Sequence, residues 1–429
     1  MALTTLRPAI QQTRPPAPAR RRRWVVPLLA VAGAALAGLW RTRGPAAVDS
    51  IWAEDGQNFL TDAVTLPWYE AIGTPFNGYY HVVARSCWAV IALFPLSWAA
   101  ALNAVVDAVL TALLALGVYA AARSRLPRAA AVVVGATAAV PMGFEPNALA
   151  QLQFPLVYCG LWMLLREPGG RAARVVATAV PALAVLNSML GVLLLPVAAL
   201  RLARRRDRVR LMPALALLPG TALQLVPLLT GVSERSLGEQ PDTNPVSVLE
   251  TYLRWGVPRS FLGPAWLAPP YEDAAGHTAL VAAGLLIPAA VVALALLRRT
   301  RAEWGLAATL AGFAALAGAL QLAAHGGPEG RYLVLVTLPN IAAAACLLLP
   351  RSAETGRTPL VVFATLLCVV CAANLRLPGP RDGIPEWGPT VAAARAECRA
   401  APGLTWVTVH IAQWPEIGWQ AVLPCDRLR

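Results

Sequence analysis

Two acids stand side by side at Glu54 and Asp55, in the run Trp52-Ala53-Glu54-Asp55-Gly56, directly after the first apolar stretch of the chain. Adjacent carboxylates at a membrane face are costly to keep without a use for their charge. In the loop leading into a helix both can converge on a divalent cation, or one can bind metal while the other takes a proton. A second polar cluster, Glu145, Asn147, Gln151 and Gln153, lies at the mouth of a later apolar stretch. A third, His325-Gly326-Gly327-Pro328-Glu329-Gly330-Arg331-Tyr332, is a glycine-rich bend that carries an imidazole, a carboxylate and a guanidinium to the start of another. The planar fork of Arg331 can give a phosphate two hydrogen bonds at once. Between the first two clusters, Pro75 to Tyr80 mixes turn formers with aromatic rings and leads into His81 and Arg85, four residues apart.

Several of these residues also have a plainer reading, though Glu54 does not. Asp55 can cap a helix whose stripe is Phe59, Leu60, Ala63 and Val64, with Gln57, Asn58, Thr61 and Asp62 on the wet side. Glu145 can be a solvated loop acid. Arg331 can pair with Glu329 or a lipid phosphate, and Arg85 can snorkel to headgroups beneath an aromatic belt. Asp107, one turn after Asn103 inside an apolar stretch, reads as a hydrogen-bond partner for a neighbouring helix, because no second acid or lysine lies within a span to form a relay.

The elements that must position these groups follow from composition. A chain that is 57% hydrophobic and 14% charged is no ordinary soluble globule. We expect an all-α polytopic membrane protein. About 20 apolar residues cross a bilayer by helix, and cytoplasmic loops hold the excess of basic residues. Those two rules give about eleven transmembrane helices, near 24–40, 98–121, 129–143, 153–166, 174–187, 189–202, 211–230, 278–297, 305–324, 332–349 and 359–375. With the amino terminus inside, the interior segments collect 23 of the 36 basic residues, all of which are arginine. That topology accounts for the net charge of +13, so nucleic acid is not a partner. Residues 1–23, rich in proline and arginine, are expected to be a disordered cytoplasmic tail leading into an uncleaved signal anchor, with a cut near Ala46-Ala47 as the competing reading. The stretch 79–97 is expected to lie at the interface or re-enter rather than cross. The pair around Asn187-Ser188 is either a broken hairpin or two short tilted helices.

The exterior segments are 41–97, 144–152, 231–277 and 325–331, with a small α+β tail, 376–429, also outside. Cys398 and Cys425 both fall in that tail and are expected to form a disulfide in an oxidising compartment. The other cysteines read as apolar packing residues. No HExxH, Walker loop or GxSxG is present.

An amino-terminal span, an acidic motif just outside it, interfacial helices, and then short spans with a second polar motif at the next exterior mouth resemble the GT-C superfamily of integral membrane glycosyltransferases. More narrowly, Trp52 to Gly56 with Phe59-Leu60, then Pro75 to Arg85, then Glu145 to Gln153, are similar to an actinobacterial branch of such proteins. The motifs cover roughly residues 24–210, and the remainder matches by architecture alone. The resemblance implies a multi-pass plasma-membrane enzyme with a cytoplasmic N-terminus and an extracytoplasmic C-terminus. It implies inverting transfer of a sugar from a polyprenyl-phosphate sugar to the hydroxyl of a cell-envelope glycan or glycolipid acceptor. On that likeness Asp55 is the base or metal ligand, Glu54 its partner and Glu145 a second carboxylate. His81, Arg85, His325 and Arg331 hold phosphate, and Asn147, Gln151, Gln153, Glu329 and Tyr332 complete the substrate site. A divalent cation, Mg or Mn, is the only cofactor implied. Two departures stand out: Glu145-Pro146-Asn147 replaces the acidic doublet of several members, and the tail is too small to favour peptide acceptors. A polytopic transporter or lipid flippase, or a non-catalytic scaffold with this fold, are the competing classes; the absence of an internal repeat and the scarcity of midplane ionisable groups count against a transporter.

Overall fold

The computed structural model describes residues 22–42, 48–142, 147–167, 169–204, 208–233, 241–267, 274–325, 330–351, 357–377, 383–412 and 418–429. Helix covers part of each of the eleven expected apolar segments. Among the described residues five helical stretches are long and apolar enough to cross a membrane: Leu96–Ala122, Leu211–Thr230, Gly276–Leu296, Trp304–His325 and Gly330–Leu347. The others are shorter, as at Arg128–Ala139 with 12 residues and Gln153–Leu165 with 13. Backbone chemistry cuts them. Val140, held off helical dihedrals by Pro141, ends one helix at φ −134° and ψ 66°. Ser188, extended at φ −161° and ψ 140°, separates Arg171–Asn187 from the turn that starts Leu194–Arg204.

Packing follows small residues. Ala100, Ala104, Ala108, Ala112 and Ala115 recur every three or four positions on the buried face of Ala99–Ala122. Ala35 of Arg22–Arg41 packs against Ala108 and Ala112, an approach that larger side chains would prevent. The outer faces carry exposed leucine and valine, among them Leu28, Leu29, Leu286, Leu296, Val361 and Val362. Water does not favour that distribution, whereas lipid does.

A second core lies outside the helix bundle. It joins Ile51, Phe59, Trp88 and Leu149 to Trp387, Val391, Val407, Ile411 and Leu423. The tail contributes the helix Trp387–Ala400 and two antiparallel strands, β1 (Trp406–His410) and β2 (Gln420–Pro424), in the register Trp406 to Pro424 through His410 to Gln420. Cys398 and Cys425, the pair expected to bridge, are joined. The tail is thus no free appendage: Asp49 accepts from the Gly388 N–H at 3.0 Å, Thr61 Oγ1 from the Val422 N–H at 3.1 Å, and Arg427 donates to the Ala92 and Phe94 carbonyls.

The 79–97 stretch folds as the ten-residue helix Val82–Ile91 followed by a short turn. Ten residues rise about 15 Å, half the thickness of a hydrocarbon core. Ahead of it, Asn77 (φ 51°) and Gly78 (φ 80°) make the tight turn of a Phe76 to Tyr79 bridge, where two left-handed residues are required.

Candidate functional site

The acid pair sits where the chain leaves Ala53, itself strained at φ 42°. Asp55 is the first residue of a π-helical turn, Asp55–Leu60, and Glu54 stands before it without a side-chain cap. The capping role read for Asp55 is therefore replaced. The wider π turn carries Asp55 inward to complete burial. Its Oδ1 accepts the Trp88 indole N–H at 2.8 Å and the Ala150 backbone N–H at 3.1 Å. Phe59 and Leu60 are buried beside it as the apolar stripe required. Glu54 is half-buried, and its Oε2 is shielded from solvent with no hydrogen bond among the described residues.

Asp55 thus ties the first motif to the second. Around Ala150, Asn147 at φ 65° is fully buried: its N–H goes to Asp107 Oδ2 at 3.0 Å, its carbonyl accepts from Asn103 at 3.0 Å, and its amide reaches Thr42 at 2.8 Å. Asp107, expected to bond a neighbouring helix, instead joins Asn103 in bonding Asn147, which lies in a bend and anchors the chain there. Gln151 is buried, with an Oε1 that makes no hydrogen bond among the described residues. Glu145 and Glu329 lie outside the described residues.

His81 and Arg85, expected to hold phosphate, are both buried. His81 is 3% exposed, with its ring centroid 4.3 Å from Tyr79, 5.2 Å from Phe59 and 6.0 Å from Phe76. Burial first, then the nearby Arg85 charge, push its imidazole down to about 3, so at neutral pH it carries no charge for a phosphate. Arg85 is buried instead of snorkelling: Nη1 pairs with Asp62 at 2.7 Å and donates to the Ala71 carbonyl at 2.8 Å, while the guanidinium lies 4.9 Å from the Phe59 ring centre. Desolvation explains the choice, since a buried cation must find a carboxylate.

What the structure does collect is a cavity of roughly 700 Å³. Gln153, His325 and Tyr332 of the expected set reach it, with Tyr79, Ser188 and Gln321. Gln153 Oε1 accepts from Ser188 at 2.7 Å and from the Tyr79 hydroxyl at 3.4 Å. His325 stacks on Tyr332 at 4.0 Å, 10° from parallel, and the Arg331 guanidinium lies 5.0 Å from the same ring centre. Leu190, Leu193, Leu195, Leu316 and Leu320 add apolar lining. Glu54 and Asp55 are not among the residues that line it.

The break at Asn187-Ser188 builds this region. Asn187 Oδ1 accepts from the Val83 and Ala84 N–H groups, both at 3.0 Å, and so caps Val82–Ile91 from another helix. Gln224 does similar service, accepting from the Tyr80 N–H at 2.8 Å and donating to the Val185 carbonyl at 2.7 Å. Gln224 and Gln321 were missed in the sequence, although an amide inside an apolar span is a signal in itself. The Gln321 amide is 5% exposed, and neither its nitrogen nor its oxygen makes a hydrogen bond among the described residues.

As for metal, two N–H donors already converge on Asp55 Oδ1, so a cation shared with Glu54 would have to use the other carboxylate oxygens. No family model and no curated protein matches the chain.

Proposed function

We propose that the protein is a multi-pass membrane glycosyltransferase of GT-C type, amino terminus inside and carboxyl terminus outside, that moves a sugar from a polyprenyl phosphate to a hydroxyl of an envelope glycan or glycolipid. The observation that carries the reading is the cavity of roughly 700 Å³, apolar along Leu190, Leu193, Leu316 and Leu320 and polar at Tyr79, Gln153, Gln321 and Tyr332. That mixed lining suits a ligand that is half isoprenoid and half sugar phosphate. Arg331, beside Tyr332, supplies positive charge for the departing phosphate. Glu54, with its unbonded oxygen, takes the acceptor proton, and Asp55 fixes the turn that presents it. Glu145, two residues before Asn147, is the second carboxylate.

That neither Glu54 nor Asp55 lines the cavity favours a second reading: a transporter, flippase or scaffold that holds a lipid-linked glycan without transferring it. Transfer of radiolabel from a polyprenyl-phosphate sugar into envelope material, in membranes with and without the protein, separates the two. Label that stays on the lipid in both would sink the enzyme assignment. The same assay with a chelator decides whether Glu54 and Asp55 use a divalent cation.

A further inference from the structure

The helix Trp304–His325 ends at the cavity just described, and its other end opens on a separate one of roughly 260 Å³. Leu194–Arg204 also borders both, with Leu195 and Pro196 on the first cavity and Val197, Leu200, Arg201 and Arg204 on the second. The second has Arg125, Arg201 and Arg204 on its wall, against Glu167 and Glu303. All three arginines belong to groups that the positive-inside rule assigns to the cytoplasm. Topology alone would leave them splayed into water, yet here helix ends from four parts of the chain turn them toward one hollow. Arg125 donates to Glu167 and to the Leu165 carbonyl, both at 3.2 Å, and Arg201 donates to the Arg166 carbonyl at 2.9 Å. Arg204 Nη1 lies 3.9 Å from the position a Cβ on Gly305 would take, over the first turn of Trp304–His325. A guanidinium set against the positive end of a long helix is a repulsive arrangement that an anion between them relieves. Among the described residues, two acids against three arginines and a helix end leave the hollow short of negative charge.

We propose that this cavity binds the phosphate of an anionic lipid headgroup on the cytoplasmic side, independently of the transfer reaction. Its volume is several times the ~30 Å³ share of one water molecule, enough for a phosphoglycerol group. Leu165, Val197 and Leu200 on the same wall offer the apolar edge along which acyl chains leave. A basic pocket between helix ends at the cytoplasmic face is the geometry that anionic headgroups select.

Full-length protein, stripped of lipid in neutral detergent, is titrated with dioleoylphosphatidylglycerol, dioleoylphosphatidylcholine and inorganic phosphate, read by lipid retention in native mass spectrometry and by Tm. Phosphatidylglycerol should bind at least about tenfold more tightly than phosphatidylcholine. Arg125→Gln with Arg204→Gln should remove that preference, Arg298→Gln, off the cavity, should keep it, and Glu303→Gln should strengthen it. A folding defect cannot produce that rise, so weaker binding in Glu303→Gln overturns the proposal. Equal retention of the two lipids, or a double variant that binds as wild type, overturns it too. If inorganic phosphate alone raises Tm as far as the lipid does, the ligand is a free phosphate and the lipid assignment fails.

Discussion

Asp55 and Ala150 lie 95 residues apart in the chain and 3.1 Å apart in space, joined by the Ala150 N–H on Asp55 Oδ1. The same oxygen holds the Trp88 indole. Asp55→Ala leaves two buried donors without an acceptor and should cost about 3 kcal/mol, while Asp55→Asn keeps an oxygen in place and should cost about 1 kcal/mol. Unfolding in detergent, followed by intrinsic tryptophan fluorescence, measures both. Equal, negligible losses would contradict the positioning role.

Gly56 packs so closely on the tail that an added methyl group would overlap Ile411 Cδ1 and press on Ile51. Gly56→Ala should therefore destabilise by about 1–3 kcal/mol. Trimming the neighbour with Ile411→Val should recover part of that loss. No recovery would mean that the strain lies in the backbone of the π turn instead.

The Cys398–Cys425 bridge closes a 27-residue separation in the segment that grips Gly56 and Thr61. By loop entropy its removal should cost about 3 kcal/mol. The double alanine variant, heated beside the wild type, should unfold earlier, and proteolysis should cut the tail first. An unchanged Tm would remove the tail from the list of elements that hold the acid turn.

His81 gives the stability a pH signature. Its ordinary value of 6.5 falls to about 3 on folding, so between those values the unfolded chain binds the extra proton. Stability is then complete above pH 6.5 and declines as the pH falls, by up to about 1.4 kcal/mol per unit. His81→Phe, which keeps a ring among Phe59, Phe76 and Tyr79, should flatten the profile between pH 6.5 and the carboxylate range. Parallel profiles for the two proteins would show that His81 is not the group responsible.

Much of the helix map was legible because apolar length and arginine placement are separate signals that agree. The tail's helix and strands, and the bridging cysteines, were legible for a similar reason: short alternating and periodic runs stand out once the spans are set aside. The destinations of single side chains were not. Arg85 looked like a surface cation because its partner, Asp62, is 23 residues earlier on a different element. His81 looked protonatable because three aromatic neighbours are invisible until the Phe76 to Tyr79 turn folds them over it. Asp55 and the second motif were each singled out as polar groups at a costly place, and the structure puts them in contact. The cavity itself is made by leucines from two distant helices, and no local pattern announces such a meeting.

The central claim is tested most directly by the initial rate of sugar transfer from a radiolabelled polyprenyl-phosphate sugar in membranes carrying either the wild type or Glu54→Gln. Removing a general base should lower that rate by about 100-fold or more, with Tm unchanged. A Glu54→Gln protein that transfers at the wild-type rate, or wild-type membranes that transfer no more than membranes lacking the protein, would contradict the account.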